Sequence, residues 1–201
     1  MIKIFGFDIS KLSDNDFMKL YKNLNPIRKE RADHIKDPKA KRLSIAAGAL
    51  LQYAVSKASG LPVQMIKLDE TENGKPYAKN VKIHFNLTHT ENLVLCAVSD
   101  NAVGIDAEKK RFVNVGVAQK YFTQKEREYI SENKLKEITR FFEIWTRKEA
   151  YVKMLGTGVR DFLSFDSTEE KISTVKQGDY IISVTSEKFP EIEYVKNSAF
   201  N

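Results

Sequence analysis

The sequence predicts an α+β protein of two similar lobes, the first over residues 1–101 and the second over residues 102–201. Three observations support this. At 201 residues the chain is long enough for one large domain or two of about 100 residues each. Each half combines strand-like segments with one long helical segment. No stretch rich in Pro, Gly or Ser separates the halves, and no segment is of low complexity.

The elements follow in order. Residues 2–9 alternate like a strand. Ser13 is an N-cap, and Phe17, Leu20, Tyr21 and Leu24 follow at helical spacing until Asn25-Pro26 ends the helix. Asp37-Pro38 starts a second helix, with Asp at N-cap and Pro at the first helical position. Leu43, Ala47, Leu50, Ala54 and Ala58 form its apolar stripe, and Gly60 ends it. Asn73-Gly74-Lys75-Pro76 reads as a turn, 82–88 and 92–99 as strands joined near Thr90-Glu91, and 102–107 as a third strand. Thr123-Gln124-Lys125-Glu126 is a capping box opening a helix. Residues 137–155 form another helix, stopped by Gly156 and Gly158, and strands are expected near 162–166, 180–185 and 192–196.

Composition narrows the class. Apolar residues make up 42% and charged residues 30%, and 12 Phe with 8 Tyr can fill a core, which argues against bulk disorder. The single cysteine, Cys96, excludes an intrachain disulfide framework and a Cys-rich zinc site. The first ten residues lack the pattern of a signal peptide, and no apolar run approaches a membrane span. A cytoplasmic enzyme or binding protein is expected, with no membrane partner. The net charge of +6 is concentrated. Lys19, Lys22, Arg28, Lys29, Arg31, Lys36, Lys39, Lys41 and Arg42 face only Glu30, Asp33 and Asp37 in the same stretch. Such an excess favours an anionic partner, and reads equally as a solvated face. It lacks the interleaved aromatics of a single-strand nucleic-acid platform.

Three segments carry chemistry. In Gly104-Ile105-Asp106-Ala107-Glu108 the two acids sit two apart on a strand and project side by side. They repel unless a cation or proton lies between them, and Mg²⁺ suits two carboxylates plus phosphate oxygens. The bland alternative is a solvated strand end beside Lys109, Lys110 and Arg111. In Trp145 to Lys153, Trp145, Glu149 and Lys153 share one helix face, with Phe141 marking that side as apolar. An acid and an amine at the rim of a core can divide proton transfer from phosphate stabilisation, or form no more than a surface pair. His84-Phe85-Asn86-Leu87-Thr88-His89-Thr90 ends in a hydroxyl–imidazole–hydroxyl triplet able to donate to a phosphate. No nucleophile-elbow sequence appears.

Together these segments resemble the Sfp-type 4′-phosphopantetheinyl transferases, whose pattern is Gly-Lys-Pro, then His-Phe-Asn-Ile/Leu-Ser-His-Ser, Gly-Ile-Asp-x-Glu, and Trp-x-x-Lys-Glu-x-x-x-Lys. Here these are Gly74-Lys75-Pro76, His84 to Thr90, Gly104 to Glu108, and Trp145 to Lys153. Ala118 to Thr123 with Glu126 resembles the family's segment ahead of its capped helix. The chain departs in carrying Thr88 and Thr90 for the usual serines, Ala107 between the acids, and Arg28 and Arg31 where some members place lysines.

The resemblance implies transfer of the phosphopantetheine arm from coenzyme A to a serine of an acyl or peptidyl carrier protein, releasing adenosine 3′,5′-bisphosphate. It implies a pseudo-two-fold pair of α+β lobes with coenzyme A between them. It also implies that Asp106, Glu108 and Glu149 hold Mg²⁺, with Mn²⁺ as an alternative. Glu149, directly or through a water, takes the serine proton, and Lys153 serves the departing phosphate. Arg28, Arg31, Arg42, Lys75, Thr88 and His89 bind the nucleotide phosphates. A monomer that does not bind nucleic acid is expected. Two rival classes fit parts of the sequence: a Mg²⁺-dependent nucleotide hydrolase or nuclease, and a non-catalytic basic nucleic-acid-binding module. The segment from Phe112 to Phe122, with the apolar Tyr121-Phe122 pair, is the expected carrier contact, although that pair reads equally as packing beneath the next helix.

Overall fold

The computed structural model describes residues 1–72 and 74–200. It is a mixed α+β chain in two compact units. The first comprises residues 1–102 together with 190–201, and the second residues 103–189.

In the first unit β1 (Lys3–Asp8), β4 (His84–Thr90), β5 (Leu93–Ser99) and β9 (Ile192–Tyr194) form a sheet in the order β4-β5-β1-β9. β5 runs antiparallel to both β4 and β1, while β9 joins β1 in parallel. The long helix α3 (Pro38–Ser59) lies against this sheet. Its start and stop are those the sequence announces: Asp37 accepts from the Ala40 amide at 2.6 Å, and Gly60 closes it with φ +73°. The apolar stripe is wider than expected, because every residue from Leu43 to Gln52 is buried. Ala46, Ala47, Gly48 and Ala49 let neighbours close in on several sides, and a Cβ on Gly48 would meet Leu24 Cδ2 at 2.8 Å. Those neighbours are α1 (Asp14–Lys22), opened by a Ser13–Asp16 capping box, and α2 (Pro26–Asp33). Asn25-Pro26 therefore does more than end a helix: the Asn25 side chain caps the next one by accepting from the Ile27 amide at 3.0 Å. A separate hairpin pairs β2 (Leu68–Glu70) with β3 (Pro76–Ala78). Gly74 supplies its left-handed turn residue, and Asn73 of the expected turn lies outside the described residues.

In the second unit β6 (Ile105–Lys109), β7 (Ser173–Gln177) and β8 (Tyr180–Val184) form an antiparallel sheet in the order β6-β8-β7. The helix α6 (Glu137–Leu155) packs on β6 and β8 and ends at Gly156, whose φ is +81°. The short α4 (Ala118–Tyr121) and the capped α5 (Gln124–Ser131) complete the core around Phe122, Phe141, Phe142 and Phe162. Trp145 stacks on Phe141 at 6.0 Å, and Tyr121 meets Trp145 edge-on at 6.4 Å.

Two expectations are corrected, and one strand is added. Residues 190–201 do not belong with a C-terminal lobe of 102–201, because β9 pairs with β1 and Phe200 packs on Phe7 at 4.7 Å. Residues 162–166 are not a strand. Val159–Ser164 is a 3₁₀ segment, and Phe162 and Phe165 both turn toward α6, meeting Trp145 and Tyr151. β7 was not expected, since Ser173-Thr174-Val175-Lys176-Gln177 has one apolar side chain and no alternation to show. Among the described residues no helix is long and apolar enough to cross a membrane.

Candidate active site

The carboxylates of the Gly-Ile-Asp-x-Glu segment sit on β6 in the second unit. Asp106 is 4% exposed and Glu108 half-buried. The strand can come so close to α6 because residue 104 is glycine. A Cβ there would fall on the Ala150 carbonyl oxygen and within 2.8 Å of the Met154 nitrogen. The helix thus meets the strand backbone to backbone, and Glu149 and Lys153 arrive beside Asp106. Lys153 Nζ donates to Asp106 Oδ1 at 2.6 Å. Burial, reinforced by the Asp106 carboxylate, holds Glu149 above its ordinary carboxyl value, with Lys153 opposing and Glu108 adding to the rise. Each of the two carboxylates on β6 already carries a side-chain cation, for Arg111 Nη1 donates to Glu108 Oε2 at 2.8 Å. Among the described residues no three carboxylate, imidazole or thiol side chains stand close enough to hold a metal ion as they are. The donor set itself, carboxylates on β6 and on the facing helix α6, is chemically suited to a hard divalent ion.

Behind this face lies a network that sequence reasoning missed. Lys148, next to Glu149 on the helix, is fully buried. Its ammonium donates to the Phe162 and Phe165 carbonyls, the latter at 2.9 Å, and pairs with Glu126 at 3.0 Å. Glu126 in turn accepts from the Ser167 amide at 2.8 Å and the Thr123 amide at 2.8 Å. Burial lowers the Lys148 pKa, and Glu126 counteracts that shift. The signal was present: Lys148 stands four residues from Ile144 and from Val152, inside an apolar helix stripe.

The expected phosphate-binding residues lie in the first unit and fall into separate groups. Arg31 on α2 pairs with Glu70 on β2 at 3.2 Å, which ties it to the hairpin that carries Lys75 in its turn. Lys75 is half-buried, and burial lowers its pKa. Arg28, one turn before Arg31, is 4% exposed and donates to the Ser44 carbonyl at 3.4 Å, with its Nε unpartnered. Burial, and the Arg31 charge, push its pKa down to about 10. At neutral pH it remains a buried cation. Arg42 sits elsewhere, paired with Asp14 and 5.0 Å over the Phe17 ring. The Thr88-His89-Thr90 triplet is split by the strand pleat, so Thr88 is buried on one face of β4 and His89 exposed on the other.

Comparison with known proteins places these segments in a family context. The chain matches a family model described as 4′-phosphopantetheinyl transferase superfamily over residues 102–196. A second model, described as 4′-phosphopantetheinyl transferase, N-terminal, matches residues 11–101. The 4′-phosphopantetheinyl transferase psf-1 of Bacillus pumilus is 28% identical over 169 residues, 81% of this chain and 72% of that protein. The 4′-phosphopantetheinyl transferase gsp of Aneurinibacillus migulanus is 34% identical over 119 residues, 58% of this chain and 49% of that one. The 4′-phosphopantetheinyl transferase Sfp of Bacillus subtilis is 24% identical over 161 residues, 79% of this chain and 72% of its own.

Proposed function

The chain belongs to the Sfp-type 4′-phosphopantetheinyl transferases, and from that premise we propose how its residues divide the work of moving the phosphopantetheine arm of coenzyme A to a carrier protein. The observation that carries the assignment is the gathering of Asp106, Glu149 and Lys153 where α6 crosses β6.

Asp106, Glu108 and Glu149 would hold Mg²⁺, or Mn²⁺ in its place, since oxygen donors of this charge suit a hard divalent ion. Bound beside the pyrophosphate of coenzyme A, such an ion would offset the charge on the phosphoryl group under attack. Glu149 takes the proton of the carrier serine hydroxyl. Lys153, four residues on and on the same helix face, donates to the departing phosphate oxygen. Arg31, Lys75 and His89 contact the nucleotide phosphates. Arg28 contributes its charge from beneath the surface. Adenosine 3′,5′-bisphosphate is the second product. The pseudo-two-fold relation of the two lobes, the monomeric state and a cytoplasmic location are parts of the same proposal and rest on family membership.

The test is the intact mass of an apo acyl or peptidyl carrier protein incubated with this enzyme, coenzyme A and Mg²⁺, with a parallel sample in EDTA. A gain of one phosphopantetheine arm, abolished by EDTA, is the expected result. Consumption of coenzyme A without any change in the carrier would instead assign the site to a hydrolase. Asp106→Ala should lose the transfer while keeping its far-UV circular dichroism, and full activity in that variant would remove Asp106 from the metal site.

A further inference from the structure

Asp106 and Glu108, the two β6 acids, are each neutralised by a side chain of this same unit, Lys153 from α6 and Arg111 from the segment that follows β6. The two pairs are differently built. Lys153 reaches a carboxylate whose side chain is 6% exposed, so that contact is shielded from water. Arg111 pairs at the surface with its own side chain 60% exposed, its Nη1 also donates to the Lys109 carbonyl at 3.3 Å, and its guanidinium lies 5.3 Å from the centre of the Phe142 ring. Glu149 stands beside this pair of ion pairs and feels both β6 carboxylates.

We propose that Lys153 and Arg111 are resident counter-ions of the carboxylate site, so that metal loading is an exchange: the divalent ion enters as the two side-chain cations leave their carboxylates. The proposal rests on the metal reading above and adds to it a role for Arg111 and a second one for Lys153. The exchange has a directional consequence. While Lys153 neutralises Asp106 it is not serving a phosphate, and it turns to the substrate only once the metal has taken its place. The site therefore stays charge-balanced in both states and delivers its lysine as it fills. Arg111 and Lys153 are positioning groups in this step, for they act on the carboxylates rather than on the reacting atoms.

The test measures Mn²⁺ binding by electron paramagnetic resonance in substrate-free protein for the wild type and for Lys153→Met, Arg111→Gln and Asp106→Asn. Removing the shielded competitor should tighten Mn²⁺ binding about 10-fold in Lys153→Met. Removing the exposed one should tighten it about 2- to 5-fold in Arg111→Gln. Unchanged or weaker binding in both variants overturns the exchange. If Asp106→Asn binds Mn²⁺ as well as the wild type does, the metal reading itself fails, which is a distinct result. A second measurement needs no variant: with lysine labelled at Nζ, the Lys153 resonance should shift on titration of the wild type with Mg²⁺. A Lys153 signal that does not respond at saturating Mg²⁺ also overturns the proposal.

Discussion

The raised pKa of Glu149 makes the protein's stability depend on pH. The folded protein holds the Glu149 proton more tightly than the unfolded chain does. Between the ordinary carboxyl value and the raised one the folded state therefore binds more protons, and stability falls as pH rises through that window. In EDTA, Glu149→Gln should be more stable than the wild type at neutral pH, and the difference should vanish when pH drops below the carboxyl range. Thermal unfolding as a function of pH measures it, and a difference independent of pH would show that the charge is not the cause. Gly104 sets how closely the start of β6 approaches α6. A methyl group there collides with backbone of α6, which cannot move aside as a side chain can. Gly104→Ala should cost about 3 kcal/mol in urea denaturation, the upper end for overpacking, and should lower transfer further by moving Glu149 away from Asp106.

Among the elements, α6 bears most of the site and is held from behind by the Lys148–Glu126 pair. Glu126 began in the sequence as a capping-box residue, and its Oε2 does accept from the Thr123 amide. Its burial gives it the further task of neutralising an ammonium with no exposure to solvent. Glu126→Ala leaves that ammonium uncompensated in the core and should cost about 3–5 kcal/mol. The double change Glu126→Leu with Lys148→Met removes both charges and should recover most of that loss in the same urea titration. Failure of the double variant to recover would mean that the carbonyl contacts to Phe162 and Phe165, rather than the ion pair, hold the segment behind α6. The 3₁₀ segment Val159–Ser164, in place of the expected strand near 162–166, belongs to the same place, because the two carbonyls that Lys148 draws in are those of Phe162 and Phe165.

For the molecule as a whole, the return of residues 190–201 to the first unit ties the chain's two ends together. Gly6 leaves room for this, since a Cβ there would meet Ile192 Cγ2 at 2.8 Å and Tyr194 Cε1 at 2.9 Å. Asn197 donates to Asp16 at 2.9 Å, and Phe200 packs against Phe7 and Tyr53. Removing residues 190–201 uncovers the β1 edge and part of that core. Hydrogen exchange should then show lost protection in β1 and α1, while β6 and β8 keep theirs. Equal loss in both units would mean that they unfold as one cooperative body.

Helix ends and family membership were legible in the sequence because their causes are local. Ser13, Asp37 and Thr123 cap the helices that follow them, Gly60 and Gly156 end theirs, and four motifs stand in register along the chain. The type and spacing of Asp106, Glu108, Glu149 and Lys153 were equally plain. What surrounds those residues was not. The cations resting on Asp106 and Glu108, the burial of Arg28, the parting of Thr88 from His89, and the tail's place beside β1 depend on contacts between segments distant in sequence or on which strand face meets a core. Sequence alone determined which chemical groups the protein owns and where its helices begin and end, since capping and periodicity act within a few residues. Tertiary structure alone decided which of those groups are dry, paired or exposed, because burial and charge pairing are set by neighbours that only folding brings together.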